Sequence, residues 1–231
     1  MSYYRKLGVF ARIPAAGRVK SRLVPPLSER DAYELYRAFV ADFFRRLERL
    51  KKVDTTVFFT GGDDPADLQA LAPQRFGFVQ QRGETLGDRM AHAFETMIED
   101  EGTIAVVVGS DSPDLPLTYI KRALLKLKHR DVVLGPASDG GYYLIGLKRP
   151  RPVLFSGPAW GTDTVLESTL GIVRDKGLSC SLLPVWYDVD DAQSLALLRN
   201  LVMARRIENQ NGLRETERVM RSIFPDDEST S

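Results

Sequence analysis

Five consecutive apolar residues, Ile104 to Val108, form the most strongly β-branched run in the chain and empty directly into Gly109-Ser110-Asp111-Ser112-Pro113-Asp114-Leu115-Pro116. A strand that is apolar at every position has no face to turn toward water, so it belongs inside a sheet covered on both sides. That one run selects a layered α/β architecture. Other strand-like runs, Leu7–Ala11, Thr56–Thr60, Phe76–Gln80, Asp131–Leu134 and Leu178–Val185, alternate with helical patterns. A helix capped by Ser28 carries Ala32, Leu35, Tyr36, Phe39, Val40, Phe43 and Leu47 at helical spacing up to about Leu50, and Gly87–Glu101, Thr118–Lys128 and Ala192–Arg205 follow the same rule. Pro65–Leu71 reads as a short helix, and Thr162 or Asp163 as the cap of another. Strand and helix in alternation predict a mostly parallel sheet with helices on both faces, a three-layer sandwich. The rhythm breaks once, at Gly135–Leu147, where Asp131–Leu134 and Tyr142–Leu147 follow each other without a helix. An antiparallel element is expected there.

Composition limits the classes of partner. The chain has 231 residues, 43% hydrophobic and 27% charged, enough for one large domain. We expect that domain over 1–206 and a helical extension with a frayed tail over 207–231. Lys and Arg total 32 against 31 for Asp and Glu, so no global field favours nucleic acid or membranes, and anion binding has to be local. No segment reads as a membrane span or signal peptide, and a cytoplasmic location is the default. The single Cys180 cannot form an internal disulfide and reads as a core thiol in a reducing compartment. The sequence leaves the oligomeric state open.

In open α/β sheets, ligands bind at the carboxyl ends of the strands where strand order reverses. Four polar clusters fall at such ends: the loop holding Arg12, Gly17, Arg18, Lys20 and Arg22; the pair Asp111 and Asp114; Asp139 with Gly140 and Gly141; and Asp188, Asp190 and Asp191. The first suits a phosphate chain, because Gly17 lets the backbone come close while Lys20 and Arg22 project the same way if the segment is extended. Neither a Walker loop nor the dinucleotide fingerprint is present. Asp111 together with Asp188 or Asp190 would satisfy a magnesium ion, which takes one or two protein carboxylates and completes its shell with water and phosphate. Asp114 more naturally orients its loop. Leu86-Gly87-Asp88-Arg89 opens a helix and offers amide groups or Arg89 to an anion, and Trp160 offers a ring to a sugar or base or packs over the sheet edge. His92 and His129 carry no motif, and no Ser-His-Asp grouping supports triad hydrolysis.

With these stretches assembled, the chain resembles the nucleotide-diphospho-sugar transferase superfamily, the GT-A-like fold, and within it a bacterial family of provisionally assigned glycosyltransferases, some linked to arsenosugar biosynthesis. The pattern runs in order through PAAGRVKSRL, TLGDRM, GSDSPDLP, GPASDGGYYLIGL, Trp160-Gly161-Thr162 and DVDDAQSL, nearly the whole chain to about Arg205. The same fold is similar to guanylyltransferases that make cofactor precursors. The chain departs from the pattern at Arg12, at Gly161 and at Asp191, and Pro113 prevents an Asp-x-Asp triplet at Asp111. The resemblance implies that Ala11, Arg12, Gly17, Lys20, Arg22, Arg89 and Ser110 contact a nucleotide, that Asp111 with Asp190 or Asp188 holds Mg²⁺ or Mn²⁺, and that Asp139, Gly140, Gly141 and Trp160 face an acceptor. Lys20 and Asp139 are the expected catalytic groups. The expected reaction moves a sugar from a nucleotide sugar to a small-molecule acceptor. Alternatives are a nucleotidyltransferase acting on a nucleoside triphosphate and a non-catalytic nucleotide-binding module.

Overall fold

The structure, a computed structural model, describes residues 3–207 and 212–225. Seven strands form one sheet: β1 Tyr4–Arg12, β2 Asp54–Thr60, β3 Gly77–Gln80, β4 Thr103–Gly109, β5 Val132–Pro136, β6 Tyr142–Leu147 and β7 Cys180–Leu182, in spatial order β3-β2-β1-β4-β6-β5-β7. All pairings are parallel except those of β6, which runs against both β4 and β5. The break in rhythm at Gly135 is therefore the single antiparallel strand. Seven α-helices complete the described chain: α1 Glu29–Leu47, α2 Ala66–Gln69, α3 Leu86–Met97, α4 Leu117–Lys126, α5 Val165–Asp175, α6 Ala192–Ile207 and α7 Arg214–Ile223.

The Ile104–Val108 run lies in β4, in the middle of the sheet and buried on both faces. Ile104, Val106 and Val108 join the core formed with α1 and α4, around Val40, Phe43, Phe44 and Ile120. Ala105 and Val107 point the other way, into the core of α3 and α5 around Met90, Phe94, Met97 and Val173. A third core lies behind α1, where Leu35 and Phe39 meet Leu195 and Leu198 of α6 and Val219 and Met220 of α7. The expected division at 206 falls in the last turn of α6, and α7 docks on α1. The expected frayed tail past Phe224 lies almost wholly outside the described residues.

Three local expectations are corrected. The last strand spans three residues rather than Leu178–Val185, because Pro184 lacks the N–H that a ladder needs and only an isolated bridge, Ala137 to Trp186, continues the pairing. Cys180, read as a core thiol, is half-buried in that edge strand. Neither Thr162 nor Asp163 caps α5: its N-cap is Thr164, without a side-chain cap bond, and Thr162 bonds Ala159 and Thr164 instead. Among the described residues no helix is long and apolar enough to cross a membrane.

Candidate functional site

The loops after β1, β4 and β7 and the turn between β5 and β6 all emerge at one edge of the sheet, because β6 enters that edge where its parallel neighbours leave it. Strand order reverses between β1 and β4, and the crevice opens there. Tyr36 of α1 holds its two lips. Its hydroxyl accepts the Arg12 N–H at 2.9 Å, donates to the Arg12 carbonyl at 3.0 Å, and lies 3.2 Å from the Ser110 hydroxyl. Burial and the nearby Asp111 push the phenol up to about 12, so it stays a neutral donor. Sequence reading placed Tyr36 only in an apolar stripe. The available signal was a hydroxyl in a row otherwise of Ala, Leu, Phe and Val.

Lys20 does not lie in an extended segment beside Arg22. It takes a left-handed conformation, φ 51°, at the start of a 3-10 turn over Ser21–Leu23. That turn aims its side chain inward, to 3% exposure, while Arg22 stays outside. The ammonium lies 2.5 Å from Asp111 Oδ1 and 2.8 Å from Asp190 Oδ1, with the rings of Tyr36 and Phe39 6.0 and 5.9 Å away. Burial alone would depress its pKa, but the two carboxylates outweigh it and hold the pKa above the usual lysine value.

Asp188 completes an acidic cluster. Burial first, then the charge of Asp111, pushes its carboxyl up to about 7 despite a hydrogen bond from Ser112. The Val189 N–H donates to the Asp111 carbonyl at 3.0 Å and ties the two loops together. Asp191 stands apart as the cap of α6, where its carboxylate accepts the Ser194 N–H at 2.8 Å. Asp114 also faces away from the cluster. Fully buried, it accepts from the Tyr187 hydroxyl at 2.9 Å and the Trp186 indole at 3.3 Å and pairs with Arg205 at 3.5 Å. Arg46 of α1 grips the carbonyls of Pro113, Asp114 and Leu115 from behind.

These residues fit a divalent cation in a restricted sense. Among the described residues no group of three His, Cys, Asp or Glu side chains could hold a metal ion. Asp111 and Asp190 are 42% and 44% exposed hard-oxygen donors, and Asp188, raised first by burial and then by Asp111, stands in the same cluster. One or two of them could hold an ion that water and phosphate complete.

Two lobes make up the crevice. The first, about 380 Å³, is lined by Ala11, Arg12, Arg18, Lys20, Arg22, Arg89, Ser110, Asp111 and Asp190 among others. The second, about 480 Å³, is lined by Arg22, Asp111, Asp139, Gly141, Trp160, Asp163 and Asp188, with Phe10, Met90 and Tyr142 as apolar walls. Arg22 and Asp111 belong to both. Charges divide sharply: five cations against two carboxylates in the first, Arg22 alone against four carboxylates in the second. Of the sequence-predicted nucleotide residues, Gly17 alone is absent from the lining, and it faces the Glu29 side chain. Arg89 lines the first lobe while bonding the Gly83 carbonyl at 3.1 Å, and a capping box between Thr85 and Asp88 takes up the amides of those two residues at the start of α3. Gly140, φ 89°, is used for packing rather than for a ligand, since any Cβ there would collide with the Asp163 backbone. Asp139, exposed, accepts the Gly141 N–H at 3.0 Å. Trp160 packs, though against Phe155, Tyr142 and α3 rather than over a sheet edge. Its indole N–H bonds the Phe155 carbonyl at 3.1 Å and packs on Gly87, where no larger residue fits, while the ring still borders the second lobe. Asp163, read only as a cap, is the lining carboxylate that sequence reasoning missed.

Comparison with known proteins gives a consistent answer. Residues 40–162 match the family model described as "Uncharacterized protein conserved in bacteria (DUF2064)". A crystal structure from Desulfovibrio desulfuricans G20, provisionally assigned as a nucleotide-diphospho-sugar transferase, shares 36% identity with a TM-score of 0.82, over 96% of this chain and 99% of that one. A cytidylyltransferase from Leptospira borgpetersenii serovar Hardjo-bovis (13% identity, TM-score 0.57, 95% and 94% covered) and a 4-diphosphocytidyl-2C-methyl-D-erythritol synthase from Anaerococcus prevotii (8%, 0.57, 86% and 96%) have the same fold. No curated protein matches the chain.

Proposed function

The chain belongs to the family described as "Uncharacterized protein conserved in bacteria (DUF2064)", and on that premise we propose that it is a transferase that binds a nucleotide-activated sugar and passes the sugar to a hydroxyl acceptor. The observation that carries this reading is the pair of oppositely charged lobes meeting at Arg22 and Asp111. A nucleoside diphosphate suits the first lobe, with Arg12, Arg18, Arg22 and Arg89 against its phosphates and Ala11 and Ser110 at the strand ends. The sugar then reaches past Asp111 into the second lobe. The carboxylates of Asp111, Asp139 and Asp163, joined by Asp188 above about pH 7, disfavour a phosphorylated acceptor and suit an uncharged or cationic one.

In the reaction, the acceptor oxygen forms a bond to the anomeric carbon, the bond from that carbon to the diphosphate oxygen breaks, and the diphosphate leaves with the electron pair. Asp139, exposed beside the lobe, takes the hydroxyl proton as general base. Arg22 and Lys20 stabilise the charge on the leaving diphosphate. Mg²⁺ or Mn²⁺, held by Asp111 with Asp190 or Asp188, would supply further neutralisation of that charge. We assign the transfer chemistry to 1–206 and treat α7 as a buttress on α1.

The test is to incubate the protein with Mg²⁺, panels of nucleotide sugars and nucleoside triphosphates, and neutral and phosphorylated acceptors, and to identify what leaves. Release of nucleoside diphosphate, with neutral acceptors preferred, supports the proposal. Pyrophosphate release would replace it with nucleotidyl transfer, the chemistry named for the cytidylyltransferases of this fold. Binding without turnover leaves a nucleotide-binding module.

A further inference from the structure

An ammonium group with two carboxylate partners at 2.5 and 2.8 Å and 3% exposure is a resident counter-ion rather than a free phosphate contact. Both of its partners are the carboxylates proposed to receive a divalent ion. We propose that Lys20 occupies the cation position of the Asp111–Asp190 pair, so that a divalent ion and the Lys20 ammonium exclude each other there and the metal enters only as the ammonium swings out.

Three observations support this. Lys20 borders the basic lobe as well as the acidic cluster, so its four-carbon stem has a second place to put the charge. The residue sits in a left-handed conformation, sparsely populated for anything but glycine, and this conformation turns the side chain inward. The rings of Tyr36 and Phe39 shape a slot for an ammonium. An ammonium leaving the carboxylates would meet the phosphates of a nucleotide in the lobe it borders, and arrival of metal and nucleotide together would thus exchange one set of ion pairs for another at little net cost in charge. Metal alone must displace the ammonium without that compensation. The expected consequence is a protein that binds divalent ions poorly until a nucleotide is present. Lys20 is in this sense a positioning residue that orders the entry of metal and nucleotide, a role that rests on the proposed function only through the carboxylates it names.

The probe is Mn²⁺ alone, followed by the loss of its free-ion electron paramagnetic resonance signal. Lys20→Met keeps the stem length and removes the charge. Without nucleotide it should bind Mn²⁺ about tenfold or more tightly than the unaltered protein, and adding Asp111→Asn to it should abolish the gain. Equal or weaker Mn²⁺ binding by Lys20→Met overturns the proposal. Because that variant could fail to fold, a second measurement uses the unaltered chain. Acetylation of Lys20, read by peptide mass spectrometry against the exposed Lys121, should rise several-fold once Mg²⁺, without nucleotide, is raised until it saturates the weak site. Unchanged or lower labelling also overturns the idea. Tight Mn²⁺ binding by the variant, with no turnover of any nucleotide sugar by the unaltered protein, would leave the exclusion standing and remove the sugar-transfer reading. Turnover without the Mn²⁺ gain would do the reverse.

Discussion

A carboxyl group half-buried beside two others is easier to protonate than one in water, and Asp188 is in that position, raised by burial and then by Asp111 from 3.8 to about 7. Between those two values the folded chain holds a proton that the unfolded chain has released. Its contribution to stability is present in mild acid and is lost as pH rises through about 7. Asp188→Asn removes that dependence. In urea titrations at about pH 5 and about pH 8.5, the variant should gain on the unaltered protein at the higher pH by on the order of 1–3 kcal/mol, a range discounted for the openness of the crevice. A gap that does not change with pH would mean that Asp188 ionises normally. Such a residue is legible in sequence only as one of three nearby aspartates. Which of them is burdened depends on Ser112 and on the loop that brings Asp111 alongside, contacts that local patterning does not encode. Lys20 was legible as a cation facing a ligand, but its inward turn was not, because that follows from one left-handed residue.

Helix α1 illustrates how far an element can be read and where reading stops. Its stripe of Ala32, Leu35, Tyr36, Phe39, Val40, Phe43 and Leu47 was legible from spacing alone, as was its Ser28 cap. Asp42, by contrast, lies outside that stripe and is fully buried. Its carboxylate accepts the N–H groups of Glu215 and Thr216, at 3.2 and 2.8 Å, and so caps α7 from another helix. No local signal could have found that pairing, which spans more than 170 positions. Asp42→Ala leaves two helix-terminal donors without a partner, that of Thr216 buried and that of Glu215 half-buried. We expect it to destabilise the protein by about 1–3 kcal/mol in urea titration, and to speed protease cleavage on the amino-terminal side of α7. Unchanged stability would show that α7 docks through Val219 and Met220 alone. Strands obeyed their patterns best in the middle of the sheet, where burial dictates every residue, and least at β7, where one edge and Pro184 relax the demand.

Across the molecule, the placement of the site followed from topology. Parallel strands send their loops to one edge, so the clusters at Lys20, Asp111 and Asp188 had to converge, and the antiparallel β6 brings Asp139 to the same place. The division into two lobes of opposite charge was not legible, because it depends on where the fold sets Arg18, read only as one of a loop's cations, and Asp163, read only as a cap. It has a measurable effect. Raising ionic strength from about 0.1 M to about 1 M shortens the screening length from about 10 Å to about 3 Å. Nucleotide affinity should then fall by about tenfold while KM for a neutral acceptor changes by less than about twofold. Equal salt sensitivity of both would mean that one lobe serves both ligands. The antiparallel strand also separates the lobes along the chain. Most of the basic lobe is built before residue 111, whereas Asp139, Gly141, Trp160 and Asp163 come from one continuous stretch that begins and ends on the ligand edge. Such an arrangement behaves as a cassette. On the proposed reading, variation in residues 137–141 and 160–163 changes what is modified, while β6 between them is held fixed by the core and the half proposed to read the activated donor is inherited intact.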